Sequence, residues 1–159
     1  MNVTILSVGK IKEKYIKLGI DEFSKRLSRY CKLSMIEVPD EKTPDLASPK
    51  EVEIIKDKEG KLLLSKIKDS MYVIALDLQG EMKTSEAFAK ELSELALRGN
   101  SHIAFVIGGS LGLSHEVKQR ANSKLCFSKM TFPHQLFKLI LLEQIYRTYR
   151  INNNEPYHK

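Results

Sequence analysis

CFSKMTFPHQLFKLILLEQIYR, residues Cys126 to Arg147, turns from a strand into a helix through a polar, glycine-free segment marked by Ser128, Thr131, Pro133 and His134. From Pro133 to Arg150 the helix carries Leu136, Phe137, Leu139, Ile140, Leu141, Leu142, Ile145, Tyr146 and Tyr149, a stripe too broad for one face. Such a helix is either central to a core or buries a second face against another subunit. We favour the second reading, which places Arg147 and Arg150 near the partner's loops. A polar turn feeding directly into this helix has the character of a site-forming loop packed on an interface.

Upstream of this junction, strands and helices alternate. Asn2 to Val8 reads as a strand ended by Gly9, and Leu33 to Val38 as a second strand. Between Lys10 and Tyr30, Ile16, Ile20, Phe23, Leu27 and Tyr30 recur every three or four positions, the spacing of an amphipathic helix. After a Pro- and Asp-containing loop from Pro39 to Pro49, Ser48-Pro49 starts another helix, carried by Val52, Ile55, Leu62, Leu63 and Ile67. Gly60 within it costs about 1 kcal/mol relative to Ala.

Tyr72 to Leu78 and His102 to Ile107 are mostly apolar runs, suited to central strands of a parallel sheet covered on both faces. Thr84 or Ser85 caps the helix that contains Phe88, Leu92 and Leu95, and Arg98-Gly99-Asn100 stops it. Ser114 caps a short helix to about Arg120, and Lys124 to Phe127 is the last strand. The class is therefore α/β, with a mainly parallel sheet and helices on both faces. A chain of 159 residues forms one domain with one core.

Formal net charge is +6, and its excess is concentrated. Lys10 to Lys32 holds eight basic against three acidic residues, and Ala121 to Lys159 holds six against two. Folded onto one face, these segments would attract phosphate, the electrostatic footprint of a nucleic-acid binder. Cys31 and Cys126 are far apart and outside any C-x-x-C spacing, so neither a disulfide framework nor a thiolate metal site is indicated. They read as two buried small hydrophobes. No apolar run approaches the length of a membrane span, and the amino terminus lacks the features of a secretory signal, so a cytoplasmic location is expected.

Ligands of open α/β sheets sit beyond the carboxyl ends of the strands. Three such ends stand out here: Leu76-Asp77-Leu78-Gln79-Gly80, Ile107-Gly108-Gly109-Ser110 and Phe127 to Phe132. The glycine segment lacks both G-x-G-x-x-G spacing and a G-K-[ST] ending, so taken alone it reads first as a structural turn. His102 and His115 read as surface or packing residues. His134 stands at a helix start, where the positive end of the dipole disfavours its protonation. His158 lies in the polar tail Asn152 to Lys159, which is either frayed and idle or functional.

Five motifs in order then become specific together: Leu76-Asp77-x-x-Gly80, Ile107-Gly108-Gly109-Ser110-x-Gly112-Leu113-Ser114, Ser128-x-x-Thr131-x-Pro133-His134, Glu143-Gln144-x-Tyr146-Arg147 and Pro156-Tyr157-His158. This pattern resembles the minimal SPOUT-class methyltransferases of large-subunit ribosomal RNA, and the resemblance runs from end to end. Ser110 and Gln135 depart from residues common in that class and bear on loop stiffness.

The resemblance implies a single domain over 1–159, with a trefoil knot and dimer helix in about 100–151 and a functional tail in 152–159. It also implies a homodimer acting on 23S rRNA in the assembled ribosome, without a metal. S-adenosyl-L-methionine would lie against backbone groups of Leu76, Gly108, Phe127, Ser128, Lys129, Met130, Thr131 and Phe132. The implied product is N3-methylated pseudouridine in helix 69.

The imide N3 carries a proton and needs a base or a group that stabilises its anion. His134 and His158 are the candidate bases, Arg147 the candidate for stabilising the charge, and Tyr157 for orienting the nucleobase. On this reading the tail of one subunit covers the cofactor loop of the other. Two other classes use some of the same features: a nucleotide-dependent oxidoreductase, and a noncatalytic ribosome-binding factor that needs the charge but not the glycine loop.

Overall fold

The computed structural model describes residues 1–159. Five strands, β1 (Asn2–Val8), β2 (Lys32–Val38), β3 (Tyr72–Met82), β4 (His102–Ile107) and β5 (Ser123–Cys126), form one sheet in the order β2-β1-β4-β3-β5. Every pairing is parallel. The connections run through α1 (Lys14–Leu27), α2 (Pro49–Leu64), α3 (Ser85–Leu97) and α4 (His115–Arg120), and α5 (His134–Asn152) follows β5.

Both faces of the sheet are covered, and the strand sequences show why. All but the first residue of β1 and of β4 are buried, as mostly apolar strands covered on both faces require, with Thr4 and Ser7 the buried polar exceptions in β1. Ile5, Ile74 and Phe105 pack with Leu141, Leu142 and Ile145 of α5 on one side. Leu6, Val73 and Val106 pack with Leu63 of α2 and Val117 of α4 on the other. Ser48, Thr84 and Ser114 cap α2, α3 and α4 by accepting from the amides of Glu51, Ala87 and Val117. Cys31 and Cys126 are both buried and free.

Three features depart from the sequence pattern. α1 starts at Lys14 rather than at Lys10, because Gly9 (φ +86°) turns the chain out of β1 and the Lys12 amide is taken by Gln135 Oε1 at 3.0 Å. β3 does not stop at Leu78: Leu125 pairs first with Leu76 and again with Glu81, so Asp77 to Gly80 bulge out between two anchored ends. Gly60, expected only to weaken α2, is where α2 meets Ser114 too closely for any side chain.

The tail is docked on its own chain rather than frayed. Asn154 (φ +54°) makes the turn after α5, a conformation Asn tolerates. Beyond it, the Glu155 carboxylate accepts from Tyr30 Oη and Arg150, and Arg150 also donates to the Pro156 carbonyl at 2.7 Å.

Candidate active site

The carboxyl ends of β3, β4 and β5 converge on a pocket of about 340 Å³. Its walls are Leu76 to Leu78, Ile107 to Gly112, and residues from Leu125 through Phe132, closed on one side by His134 and Phe137 of α5. A larger, shallower depression of about 690 Å³ lies among Met1, Tyr30 and Lys32, at the amino ends of β1 and β2. It has neither the glycine backbone nor the strand ends that suit a ligand in this architecture.

The pocket wall is backbone held at close quarters. A β-carbon at Gly108 would lie 2.6 Å from the carbonyl carbon of Gly112, and one at Gly80 would lie 2.7 Å from the backbone of Leu125. Both positions therefore require glycine for contact, not for conformation. Ser128 turns the loop after β5: its Oγ accepts from the Met130 amide at 3.0 Å, and its carbonyl accepts from Cys126 Sγ at 3.1 Å. Phe127 and Phe132 both pack on Phe137, with ring centroids 4.9 and 6.2 Å apart. The loop is thus clamped to α5 by aromatic contacts.

Charged groups sit around this wall. Asp77 Oδ2 is buried without a hydrogen bond, and its nearest cation is Lys118 Nζ at 3.4 Å. Glu59 is buried behind Gly109 and accepts from the Glu41 amide at 3.0 Å; burial pushes its carboxyl above the ordinary value. Lys138, one turn after His134, is wholly buried. It donates to the Gly9 carbonyl at 3.1 Å and stands 3.7 Å from Glu37 Oε1. Burial holds the His134 imidazole below its usual value, and the Lys138 charge adds to this while Asp40 opposes it.

A second polar cluster lies farther along α5. Glu143 Oε1 accepts from Arg147 at 2.6 Å and from Tyr157 Oη at 2.9 Å, and the Arg147 guanidinium lies 4.7 Å from the Tyr157 ring centroid. Arg147 also donates to His158 Nδ1 at 3.0 Å, and His158 Nε2 meets Glu86 Oε1 at 2.7 Å. A guanidinium only donates, so Nδ1 is the accepting nitrogen and the proton sits on Nε2, facing Glu86. Both nitrogens of His158 are engaged while the tail is docked. Burial, then the Glu143 bond, raises the Tyr157 hydroxyl above its usual value.

The structure divides the expected site residues into two groups. Leu76, Gly108, Phe127, Ser128, Met130, Thr131, Phe132 and His134 share one pocket. Lys129 is exposed and outside its lining, although its two neighbours are within it. Arg147, Tyr157 and His158 form the other cluster. His134 and Arg147 are thirteen positions apart on one helix, about 20 Å along its axis and roughly 140° around it. Within one chain the two groups do not meet. Sequence reasoning missed Glu59, Lys138 and the packing role of Phe137; the available signal was Lys138, a lone charge between Phe137 and Leu139 in an otherwise apolar stretch.

The family model described as "Predicted SPOUT methyltransferase" matches residues 1–158. Ribosomal RNA large subunit methyltransferase H 1 from Clostridium perfringens is 69% identical over 159 residues, all of both chains. The proteins called ribosomal RNA large subunit methyltransferase H from Clostridioides difficile and Clostridium botulinum are 67% and 65% identical, again over the full length of both chains.

Proposed function

Because the chain belongs to the SPOUT methyltransferase family, we propose that it transfers a methyl group from S-adenosyl-L-methionine to N3 of a pseudouridine in helix 69 of 23S rRNA, on the assembled ribosome in the cytoplasm. The observation that carries this reading is the pocket itself, in which three strand ends and His134 converge. Its volume lies in the range of small-molecule sites. Leu76, Gly108 and the loop from Phe127 to Phe132 would hold the cofactor, with Phe127 and Phe132 giving it an apolar wall. The cofactor supplies a methyl group already activated by its sulfonium.

What remains for the protein is alignment, exclusion of water and removal of the N3 proton. His134 takes that proton, since it lines the pocket and is held below its ordinary value, hence neutral at neutral pH. His158 is the poorer base while its Nδ1 accepts from Arg147. Arg147 and Tyr157 stabilise and orient the nucleobase as charge develops on it.

The separation along α5 supports a homodimer, in which the Arg147–Tyr157–His158 cluster of one subunit faces the pocket of the other. The surface supports it too: Leu78, Met82 and Met130 are more than half exposed around the pocket, and Phe132 is partly so. Family membership further implies a trefoil knot in the carboxyl-terminal part, and the close passage of Gly80 against Leu125 is consistent with that threading.

The test is methyl transfer from labelled S-adenosylmethionine to ribosomes from cells that lack this gene, with the product nucleoside identified by mass spectrometry. Label on N3-methylpseudouridine in helix 69 is the expected result. Label elsewhere, or none, sinks the reading. Naked 23S rRNA serves as the parallel substrate, and equal activity on it would remove the requirement for the ribosome.

A further inference from the structure

Lysine is almost never wholly buried unless paired, yet Lys138 has no exposed surface. Its ammonium donates to the carbonyl of Gly9, the residue that ends β1, and lies 3.7 Å from the carboxylate of Glu37 near the end of β2. Gly9 in turn borders the imidazole: a β-carbon placed on Gly9 would be 3.7 Å from His134 Nε2. Lys138 and His134 are four positions apart on α5, so they share one face of the helix. Pro133, at the helix start, supplies no side-chain cap to hold that first turn.

We propose that Lys138 is a positioning residue for His134, its buried ammonium fixing the first turn of α5 against the ends of β1 and β2 and presenting a positive charge to the imidazole. Two effects follow. The bond to Gly9 sets where the ring stands relative to the pocket, and the charge disfavours the imidazolium, which keeps the ring in its proton-accepting form. The charged groups facing His134 are Lys138 on its own helix and Asp40 on the loop after β2, which acts in the opposite sense. Glu37 partly offsets the lysine. The inference deepens the reading of His134 as the base and rests on it for its catalytic consequence, although the placement of the ring is measurable on its own.

The test follows the His134 imidazole resonances of the full-length protein by NMR from pH 5 to pH 8 in the native chain, in Lys138→Met, in Lys138→Arg and in Glu37→Gln. The steady-state rate is measured over the same range. Lys138→Met should raise the His134 midpoint by about one unit, Lys138→Arg should restore it, and Glu37→Gln should lower it. The acid limb of kcat should move with the midpoint, while KM for the cofactor changes by less than about threefold. A purely structural lysine would not move the midpoint in opposite directions in the Met and Gln variants. If Lys138→Met does not fold, Glu37→Gln still decides the sign. A midpoint unmoved in Lys138→Met or in Glu37→Gln overturns the proposal. A midpoint that shifts while the acid limb of kcat stays put supports the placement and instead removes His134 as the base.

Discussion

Ser114 Oγ occupies the space that a β-carbon on Gly60 would need, so α2 and the capped start of α4 touch without an intervening side chain. Helix propensity alone says that Gly60→Ala should stabilise by about 1 kcal/mol. Here the new methyl must displace a buried hydroxyl that caps α4. Overpacking costs about 1–3 kcal/mol and a disturbed cap about 1 more. We expect the melting temperature to fall by roughly 3–8 °C, measured by calorimetry. A rise would mean that Ser114 can move aside freely.

Gly108→Ala should cripple the pocket without unfolding the chain. The added carbon meets backbone atoms of Gly112, which cannot yield as a flexible side chain would. Affinity for S-adenosylmethionine should fall roughly tenfold or more, about 1.4 kcal/mol, by isothermal titration. Near-native urea denaturation would show that the loss is local.

The face of α5 left half exposed includes Phe137, Ile140, Gln144 and Arg147, and Ile140 lies at its middle. Ile140→Glu should leave the chain folded but monomeric by light scattering, with methyl transfer reduced at least about a hundredfold. An active monomer would show that one chain completes the site unaided.

Acid should weaken the fold through His134. A base whose value is depressed on folding gives an unfolded state that binds more protons below about pH 6.5. Stability is therefore lost as pH falls through that window. His134→Asn should flatten the decline in urea-unfolding free energy between pH 7.5 and pH 5. An unchanged slope would assign the decline to other groups, among them His102, which burial also depresses.

Deleting Pro156 to Lys159 removes Tyr157 and His158 but no residue lining the pocket. Cofactor affinity should stay within about twofold while turnover is lost. Full turnover by the truncated chain would take the tail out of the chemistry.

Most of the fold was legible because the period of apolar residues changes cleanly between strand and helix, and because Ser48, Thr84 and Ser114 mark helix starts by a local rule. The end of β3 was not legible, because Asp77 to Gly80 read as a turn and the pairing that resumes at Glu81 depends on β5, more than forty residues away. The walls of the pocket were legible as strand ends. Glu59 and Lys138 were not, since each looks like one more charge on a helix until the fold places it against Gly109 or Gly9. The docking of the tail was equally hidden, because a polar run reads as solvated unless Glu143, Arg147 and Tyr30 are known to await it.

Leu125 pairs with β3 on both sides of the Asp77–Gly80 bulge. Opening that part of the pocket would break two stretches of the sheet together, so its amides should exchange with solvent among the slowest in the chain. An incoming ligand then meets a wall already in place and loses little affinity to ordering it. The parts left free to adjust are those outside the sheet ladder and held mainly through side chains, the loop from Ser128 to Phe132 and the tail from Pro156 onward. Adaptation on binding is thereby confined to the mouth of the site, while its floor behaves as a fixed template.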